Sequence, residues 1–403
     1  MSTKLVDVFL HQRNEKLKVG RLAYTNRKIY FEYESAFLKS AIELSPYKLP
    51  LDPGVKVCDD RVFDGLFGVF ADSLPDGWGK LLIDRHIMSQ GRNFADITPL
   101  DRLMMVGRFG IGALSYEPLI ESTNTQEKIS LDELALSSQE ILKGVSAKNL
   151  ETLLANNGSS AGARPKIMVQ LNQQNHLLPS NQTLQNGYEH YMVKFAGSGD
   201  SPHIGTLEYI YSLMAQDAGI FIGDTRLLEG KKQSYFAIKR FDRIGDARIH
   251  IHSLAGMVHS DYRLPSLDYE DILKLTLHLT KDVNEVQKAY KLAVFNLLTH
   301  NRDDHAKNFS YILDQNNNWK LSPAYDLTFS FGPGGEHSTT YLGEGKKPTL
   351  NHLLELAKKH SIQDAKGIIE EIYGVVSNFQ SYATLYNLPN SYSQEIFKQL
   401  PRL

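Results

Sequence analysis

His300-Asn301-Arg302-Asp303-Asp304-His305-Ala306-Lys307-Asn308, then Phe309-Ser310-Tyr311-Ile312-Leu313, a polar turn at Asp314-Gln315-Asn316-Asn317-Asn318, Trp319-Lys320-Leu321-Ser322-Pro323 and finally Ala324-Tyr325-Asp326 form the stretch that decides how this chain is read. The two apolar segments read as strands around a turn, so a hairpin separates Asn308 from Asp326 and can fold the carboxylate back beside the amide. Upstream, Val283, Val286, Tyr290, Val294 and Leu297 recur at helical spacing. That spacing predicts a buried helix delivering Asp303 to the loop after its C-terminus.

Phosphoryl transfer needs this set of parts. A carboxylate must accept or orient the attacking hydroxyl, and hard oxygen ligands must hold the Mg²⁺ ions that bridge the phosphates. Asp303 and Asn308 reproduce the Asp-x-x-x-x-Asn step of a kinase catalytic loop, and Asp326 supplies a metal-binding carboxylate after the hairpin. Alone, an Asp-Asp-His run is an ordinary solvated turn or helix cap. The spaced triple with its hairpin is what points to chemistry.

If ATP is the ligand, further elements must exist. Lys194 stands among apolar residues in the strand-like Tyr191-Met192-Val193-Lys194-Phe195, where it suits pairing with phosphates or lies simply on an exposed strand face. Glu208, on the following helical segment, is a candidate partner for it. Gly158-Ser159-Ser160-Ala161-Gly162-Ala163-Arg164-Pro165-Lys166 is a small-residue loop that opens a strand, so its backbone N–H groups can approach phosphate oxygens. It matches neither the Walker pattern nor Gly-x-Gly-x-x-Gly, and on its own it reads as a turn.

The rest of the 403 residues supports a folded protein of two or three packed units. Hydrophobic residues make up 42% and charged residues 22%, and no apolar run is long enough to span a bilayer. The N-terminus lacks an apolar stretch before a small-residue cleavage site, so cytoplasmic residence is expected. With 44 basic against 46 acidic residues there is no global charge excess for gripping nucleic acid. Lys346-Lys347 and Lys358-Lys359-His360 read as solvated faces. A single cysteine, Cys58, excludes an internal disulfide and a thiolate-rich metal site. His250 and His252 alternate in a strand without a third ligand at useful spacing, so no metal is expected there.

Short alternating strands at the start, LVDVFL, KVGRLAY and KIYFEYE, give way to a turn or helix start at Pro75-Asp76-Gly77 and a Gly-rich turn at residues 106–114. A polar linker follows, then helical patterning from about 130 to 155, strands at PKIMVQL, YEHYMVKFA and QSYFAIKRFD around a helix at TLEYIYSLMAQDAG, and mainly helical patterning beyond residue 266. The expected fold class is α+β, a protein-kinase-like two-lobed fold with a β-rich N-terminal subdomain and a mainly helical C-terminal lobe. Its expected divisions are 1–120, a linker at 121–130, a kinase-like N-lobe with the ATP loop at 131–253, and a helical C-lobe at 254–403.

These motifs together resemble the HipA family of type II toxin-antitoxin kinases, through most of the chain. Asp303-Asp304-His305-Ala306-Lys307-Asn308 with Ala324-Tyr325-Asp326 carries the resemblance most specifically, and Ser159 to Lys166, Lys194 and Lys239-Arg240-Phe241-Asp242-Arg243 follow the family's order. Leu74-Pro75-Asp76 and Val106 to Leu114 look like its N-terminal subdomain. The resemblance implies an ATP- and Mg²⁺-dependent serine/threonine protein kinase. Asp303 would be the base and Asn308 and Asp326 would hold Mg²⁺. Ser160, Ala161, Gly162, Ala163, Arg164, Lys166, Lys194, His305 and Lys307 would surround the nucleotide, and Ser159 would be the autophosphorylation site. It further implies a small helix-turn-helix antitoxin (HipB-like) that binds operator DNA, and aminoacyl-tRNA synthetases as the substrate class. Two departures stand out. Arg164-Pro165 replaces the glutamine many relatives carry before the loop lysine, and Asp304 replaces a glycine after the catalytic Asp. A small-molecule kinase with the same ATP machinery, or an inactive nucleotide-binding co-repressor, are the alternative readings.

Overall fold

A computed structural model describes residues 3–12, 15–93, 96–120, 130–145, 148–158 and 162–401. Ser159, Ser160 and Ala161, and all but one residue of the expected linker, lie outside the described residues.

The first unit is an antiparallel sheet of β1 (Lys4–Gln12), β2 (Glu15–Thr25), β3 (Lys28–Tyr33), β4 (Lys56–Val57) and β5 (Leu114–Glu117), in the order β4-β3-β2-β1-β5. Alternation builds it: Val6, Val8 and Leu10 of β1 are buried while Leu5, Asp7 and Phe9 point away. Between β3 and β5 run the short helices α1 (Ser35–Leu38) and α2 (Gly68–Ala71), then α3 (Gly77–Ser89) and α4 (Pro99–Val106). Helix α4 starts where Thr98 and Asp101 cap each other reciprocally and Pro99 takes the first turn.

Helices α5 (Leu131–Leu142) and α6 (Leu150–Asn157) lead into the second sheet. The helical stretch expected from 130 to 155 is thus two helices, and the second stops at Gly158, whose φ is 59°. The second sheet contains β6 (Lys166–Asn172), β7 (Leu177–Pro179), β8 (Tyr188–Lys194), β9 (Thr225–Glu229) and β10 (Ser234–Lys239), in the order β7-β6-β8-β10-β9. Helix α7 (Ile204–Asp217) lies between β8 and β9 in the chain. A two-residue hairpin, β11 (Arg243–Ile244) and β12 (Ala247–Arg248), then leads to β13 (His250–Ser253) and α8 (Leu254–Val258).

The last unit is mainly helical. After β14 (Leu267–Asp268) come α9 (Tyr269–Thr280) and α10 (Val283–Leu298), the hairpin β15 (Ser310–Leu313) and β16 (Trp319–Leu321), β17 (Thr339–Thr340), and α11 (Leu350–Lys359), α12 (Ala365–Ser377), α13 (Phe379–Leu385) and α14 (Asn390–Phe397). Asp282 caps α10 by accepting from Asn284 N–H, and from Ala289 onward almost every residue of that helix is buried. Val283 alone of the five periodic positions is exposed, since it occupies the first turn. The parallel pair of β14 and β17 has no signal in the sequence, because two-residue strands carry no periodicity.

Among the described residues two apolar cores result. The larger joins the first sheet to α7 and the helices of the last unit. The smaller packs the second sheet on α5 and α6 and also takes Trp78 and Leu82 of α3. The first unit is therefore keyed into the N-lobe. A buried string also crosses units: Ser45 Oγ lies 3.0 Å from His252 Nε2, and His252 Nδ1 donates to Asp72 Oδ2 at 2.6 Å. Ser45 is 1% exposed, so this chain of hydrogen bonds presents no nucleophile to a cleft and acts as a staple.

Candidate active site

Helix α10 ends in a turn whose Asn301 N–H reaches back to the Asn296 carbonyl at 2.9 Å, and Asp303 and Asp304 follow it into the loop. Asp304 is 1% exposed and turns inward. Its Oδ2 accepts from Tyr269 Oη at 2.9 Å and His337 Nδ1 at 2.8 Å, and its Oδ1 from the backbone N–H groups of Ser338 at 2.8 Å and Thr339 at 3.2 Å. A glycine here would leave all four donors without an acceptor, so the departure noted at this position has a structural reason. Asp303 points the other way, with 47% of its side chain reaching solvent.

A turn of 3₁₀ helix at Ala306–Asn308 brings Asn308 back, and its Nδ2 donates to the Asp303 carbonyl at 2.7 Å. Asn308 lines the cavity beside it. β15 lies between β13 and β16 in a three-stranded sheet, so the hairpin folds as its sequence predicts. Beyond β16, Ala324 N–H donates to the Phe221 carbonyl at 2.7 Å, and Tyr325 Oη donates to the Lys307 carbonyl at 2.6 Å. Asp326 then adopts φ 58°, a left-handed conformation that a non-glycine residue keeps only where its surroundings hold it.

At the end of β8, Lys194 sits between two carboxylates: Nζ donates to Asp326 Oδ1 at 2.5 Å and to Glu208 Oε1 of α7 at 3.1 Å. The Lys194–Glu208 pair considered from the sequence is thus formed, and both side chains are buried. Lys166, paired opposite Lys194 in the sheet register, lines the same cavity. Arg164 instead turns to Asp200, at 2.8 and 3.2 Å, and to Glu208 at 3.4 Å. Ala163 is exposed. Lys307 reaches Asp76 Oδ2 of the first unit at 2.7 Å.

One cavity therefore gathers Gly162, Lys166, Lys194, His305, Lys307, Asn308 and Asp326. Its other end is apolar, lined by Met168, Met192, Ile238 and Phe241. Arg240 and Arg243, from the Lys239–Arg243 stretch, clamp the buried Asp242, which also accepts from Gly112 N–H at 2.8 Å and so fixes the Gly-rich turn of the first unit against the cavity. Asp303 opens onto an adjoining groove with Tyr262, Leu264, Pro265 and Pro333, and His305 borders both spaces.

The charges are strongly coupled. Against the burial that would raise it, the ammonium groups of Lys194 and Lys166 hold the Asp326 carboxyl far below the usual range. Burial would lower Lys194, but Asp326 and Glu208 raise it. For Lys166 burial wins and its ammonium is pushed down, though Asp326 opposes. Asp303 is raised, first by desolvation and further by the Asp326 charge, while His305, 3.8 Å away, pulls in the other direction. The open side of Asp303 limits the size of that rise.

Asp76, Asp200 and the inward role of Asp304 were not foreseen from the sequence. Asp76 sits 231 positions from Lys307, and no local pattern connects residues at that distance.

Residues 6–117 match the HipA N-terminal domain family, and residues 158–379 match the HipA-like C-terminal domain family. Among solved structures, HipA of Shewanella oneidensis MR-1, solved with HipB and its operator DNA, superposes with a TM-score of 0.67 at 16% identity over 99% of this chain and 92% of that one, a likeness of fold. Y4dM of Sinorhizobium fredii, named as a candidate kinase, is 31% identical over 152 residues, which are 34% of this chain and 37% of the relative. The chain thus matches little more than a third of the length of that relative.

Proposed function

The chain belongs to the HipA family, and from that premise we propose that it is an ATP-dependent serine/threonine protein kinase that transfers the γ-phosphoryl group to a protein serine. The observation that carries the reading is Lys194 held between Glu208 and Asp326, beside the loop that presents Asp303 and Asn308. The apolar end of the cavity suits the adenine ring, and its cationic end, with Lys166, Lys194 and Lys307, suits the phosphates.

Magnesium fits the donor set. Mg²⁺ takes one or two protein oxygens and fills its shell with water and substrate phosphate, and Asn308 and Asp326, which line the same cavity, offer an amide and a carboxylate oxygen of that kind. Asn308 Oδ1 and the Asp326 carboxylate would hold it, and when bound it would neutralise charge on the phosphate oxygens.

The residues divide the remaining work. Lys194 leaves part of its interaction with Asp326 to contact phosphate oxygens, while Glu208 keeps its ammonium aimed. The acceptor serine enters by the groove beside Leu264 and Pro333, and Asp303 takes the hydroxyl proton as the oxygen attacks the γ-phosphorus and ADP leaves. The raised pKa of Asp303 makes its carboxylate a stronger base than an ordinary aspartate. Ser159 is the autophosphorylation site in this reading, because the charge added there would compete with ATP for the cations around Lys166. An aminoacyl-tRNA synthetase is the acceptor class, and a small helix-turn-helix antitoxin the partner, as HipA of Shewanella oneidensis occurs with HipB and operator DNA.

Incubation with γ-labelled ATP, Mg²⁺ and a bacterial lysate tests this, with mass spectrometry of the labelled species. Wild type should label one protein band and Ser159, and Asp303→Asn should label neither while keeping ATP-dependent thermal stabilisation. Transfer by Asp303→Asn at near wild-type rate refutes the assignment.

A further inference from the structure

Helix α3 belongs to the first unit, yet its N-terminal end is fastened to the phosphate-facing loop. Asp76 Oδ1 accepts from Gly162 N–H, and Trp78 N–H donates to the Gly162 carbonyl at 3.1 Å. Both backbone groups of Gly162 are therefore held from α3. Gly77 allows the approach: a Cβ there would stand 2.7 Å from the Gly162 carbonyl oxygen and 2.8 Å from Ala163 Cα.

The second oxygen of the same carboxylate reaches the catalytic loop. Asp76 Oδ2 accepts from Lys307 Nζ at 2.7 Å, and the Lys307 ammonium also lies 4.5 Å from the centre of the Tyr262 ring. Asp76 and Lys307 expose only 15% and 8% of their side chains, so this pair sits in the wall of the cavity and not on the surface. A lysine without a partner in this wall would be free to swing, and a loop rich in small residues has little side-chain packing of its own to fix it.

We propose that Asp76 is a positioning residue of the phosphoryl-transfer site, one carboxylate that sets the phosphate loop at Gly162 and the catalytic-loop cation Lys307 in a single frame. The first unit is then part of the catalytic machinery. The inference rests on the reading of this cavity as the ATP site. Asp76 acts through its two partners: the Lys307 ammonium is kept aimed into the cavity, and the Gly162 backbone is held in place beside it.

The test is a double-mutant cycle on the full chain, following KM for ATP and kcat of the labelling reaction. Asp76→Asn keeps an acceptor for Gly162 but turns an amide N–H₂ toward the ammonium, so it should raise KM for ATP about tenfold, with a smaller change in kcat. Lys307→Met should give a similar rise, and adding Asp76→Asn to Lys307→Met should cost less than about twofold more. Asp76→Glu should recover part of the loss. If Asp76→Asn does not fold, the same cycle is run with Asp76→Glu and read by the same criterion. Losses that multiply in the double variant would make Asp76 a merely structural residue. A lowered KM in Asp76→Asn would show that Asp76 withholds Lys307 from ATP, and either result overturns the proposal. Asp303→Asn in the same assay separates the two levels: if it still transfers phosphate the ATP-site reading itself falls, whereas an inert Asp303→Asn beside an unchanged Asp76→Asn removes only the role of Asp76.

Discussion

Replacing Asp304 by alanine should cost about 3–5 kcal/mol of stability, and the figure follows from what the carboxylate holds. Four donors converge on it: Tyr269 Oη, His337 Nδ1 and the N–H groups of Ser338 and Thr339. Thr339, the Tyr269 ring and His337 are all buried, so water cannot replace the lost acceptor at those three. Each buried donor left unmade costs about 1–3 kcal/mol, and the half-buried Ser338 adds less. Asp304→Asn should be milder, about 1–2 kcal/mol. Its carbonyl oxygen can keep the two backbone N–H groups, and only its amide nitrogen opposes Tyr269 and His337, both of which can rotate or change tautomer. Equilibrium urea unfolding measures the loss, and hydrogen exchange at Ser338 and Thr339 localises it, since both amides should lose protection in the alanine variant. A midpoint change worth less than about 1 kcal/mol, with both amides still protected, would refute the reasoning.

Asp242 should dominate the acid response of its region. Burial would raise its carboxyl, but Arg240 and Arg243 hold it well below the usual carboxylate range, so its contribution is present above the unfolded value near 3.8 and is lost as pH falls through the folded one. Asp242→Asn should therefore cost about 3–5 kcal/mol at pH 7, hold most of that cost at pH 3, which is still above the folded value, and lose it only as pH falls further; urea midpoints over a descending pH series read this, and a cost that has already vanished at pH 3 would contradict the charge argument. Gly205→Ala should destabilise by about 1–3 kcal/mol, because the new Cβ would stand 2.4 Å from the Ser234 carbonyl and push α7 off β10; an unchanged melting temperature would show that the helix can shift freely.

The candidate catalytic loop was legible as a unit because its parts are local. Asp303, Asn308 and Asp326 fall within one stretch whose hairpin can be read from alternation and a polar turn, and Lys194 announced itself as a charge in an apolar strand. The two-lobed fold followed from the order of strand and helix patterns. What could not be read were contacts between segments far apart in sequence. Asp76 looked like a turn residue and Asp304 like a deviation from a glycine, yet each is a hub whose partners lie on other elements. Arg164 shows the reverse case: its place in the loop suggested the nucleotide, but Asp200 and Glu208 offer two carboxylates nearer to hand.

The seat of Trp78 in the smaller core bears on how the chain is made. Trp78 and Leu82 share this core with Ile167, Val169, Tyr191 and Val193, which leave the ribosome about 85 to 115 residues later. At about 5–20 residues per second, the nascent α3 waits roughly 5–20 s with an indole uncovered before its socket has been synthesised. The first unit therefore cannot bury all of its apolar surface in an early, self-sufficient folding event, and a chaperone that shields apolar helices during translation should engage α3 in that interval. Ribosome-bound chains halted before residue 166 should bind such a chaperone, and chains halted well past residue 240 should release it.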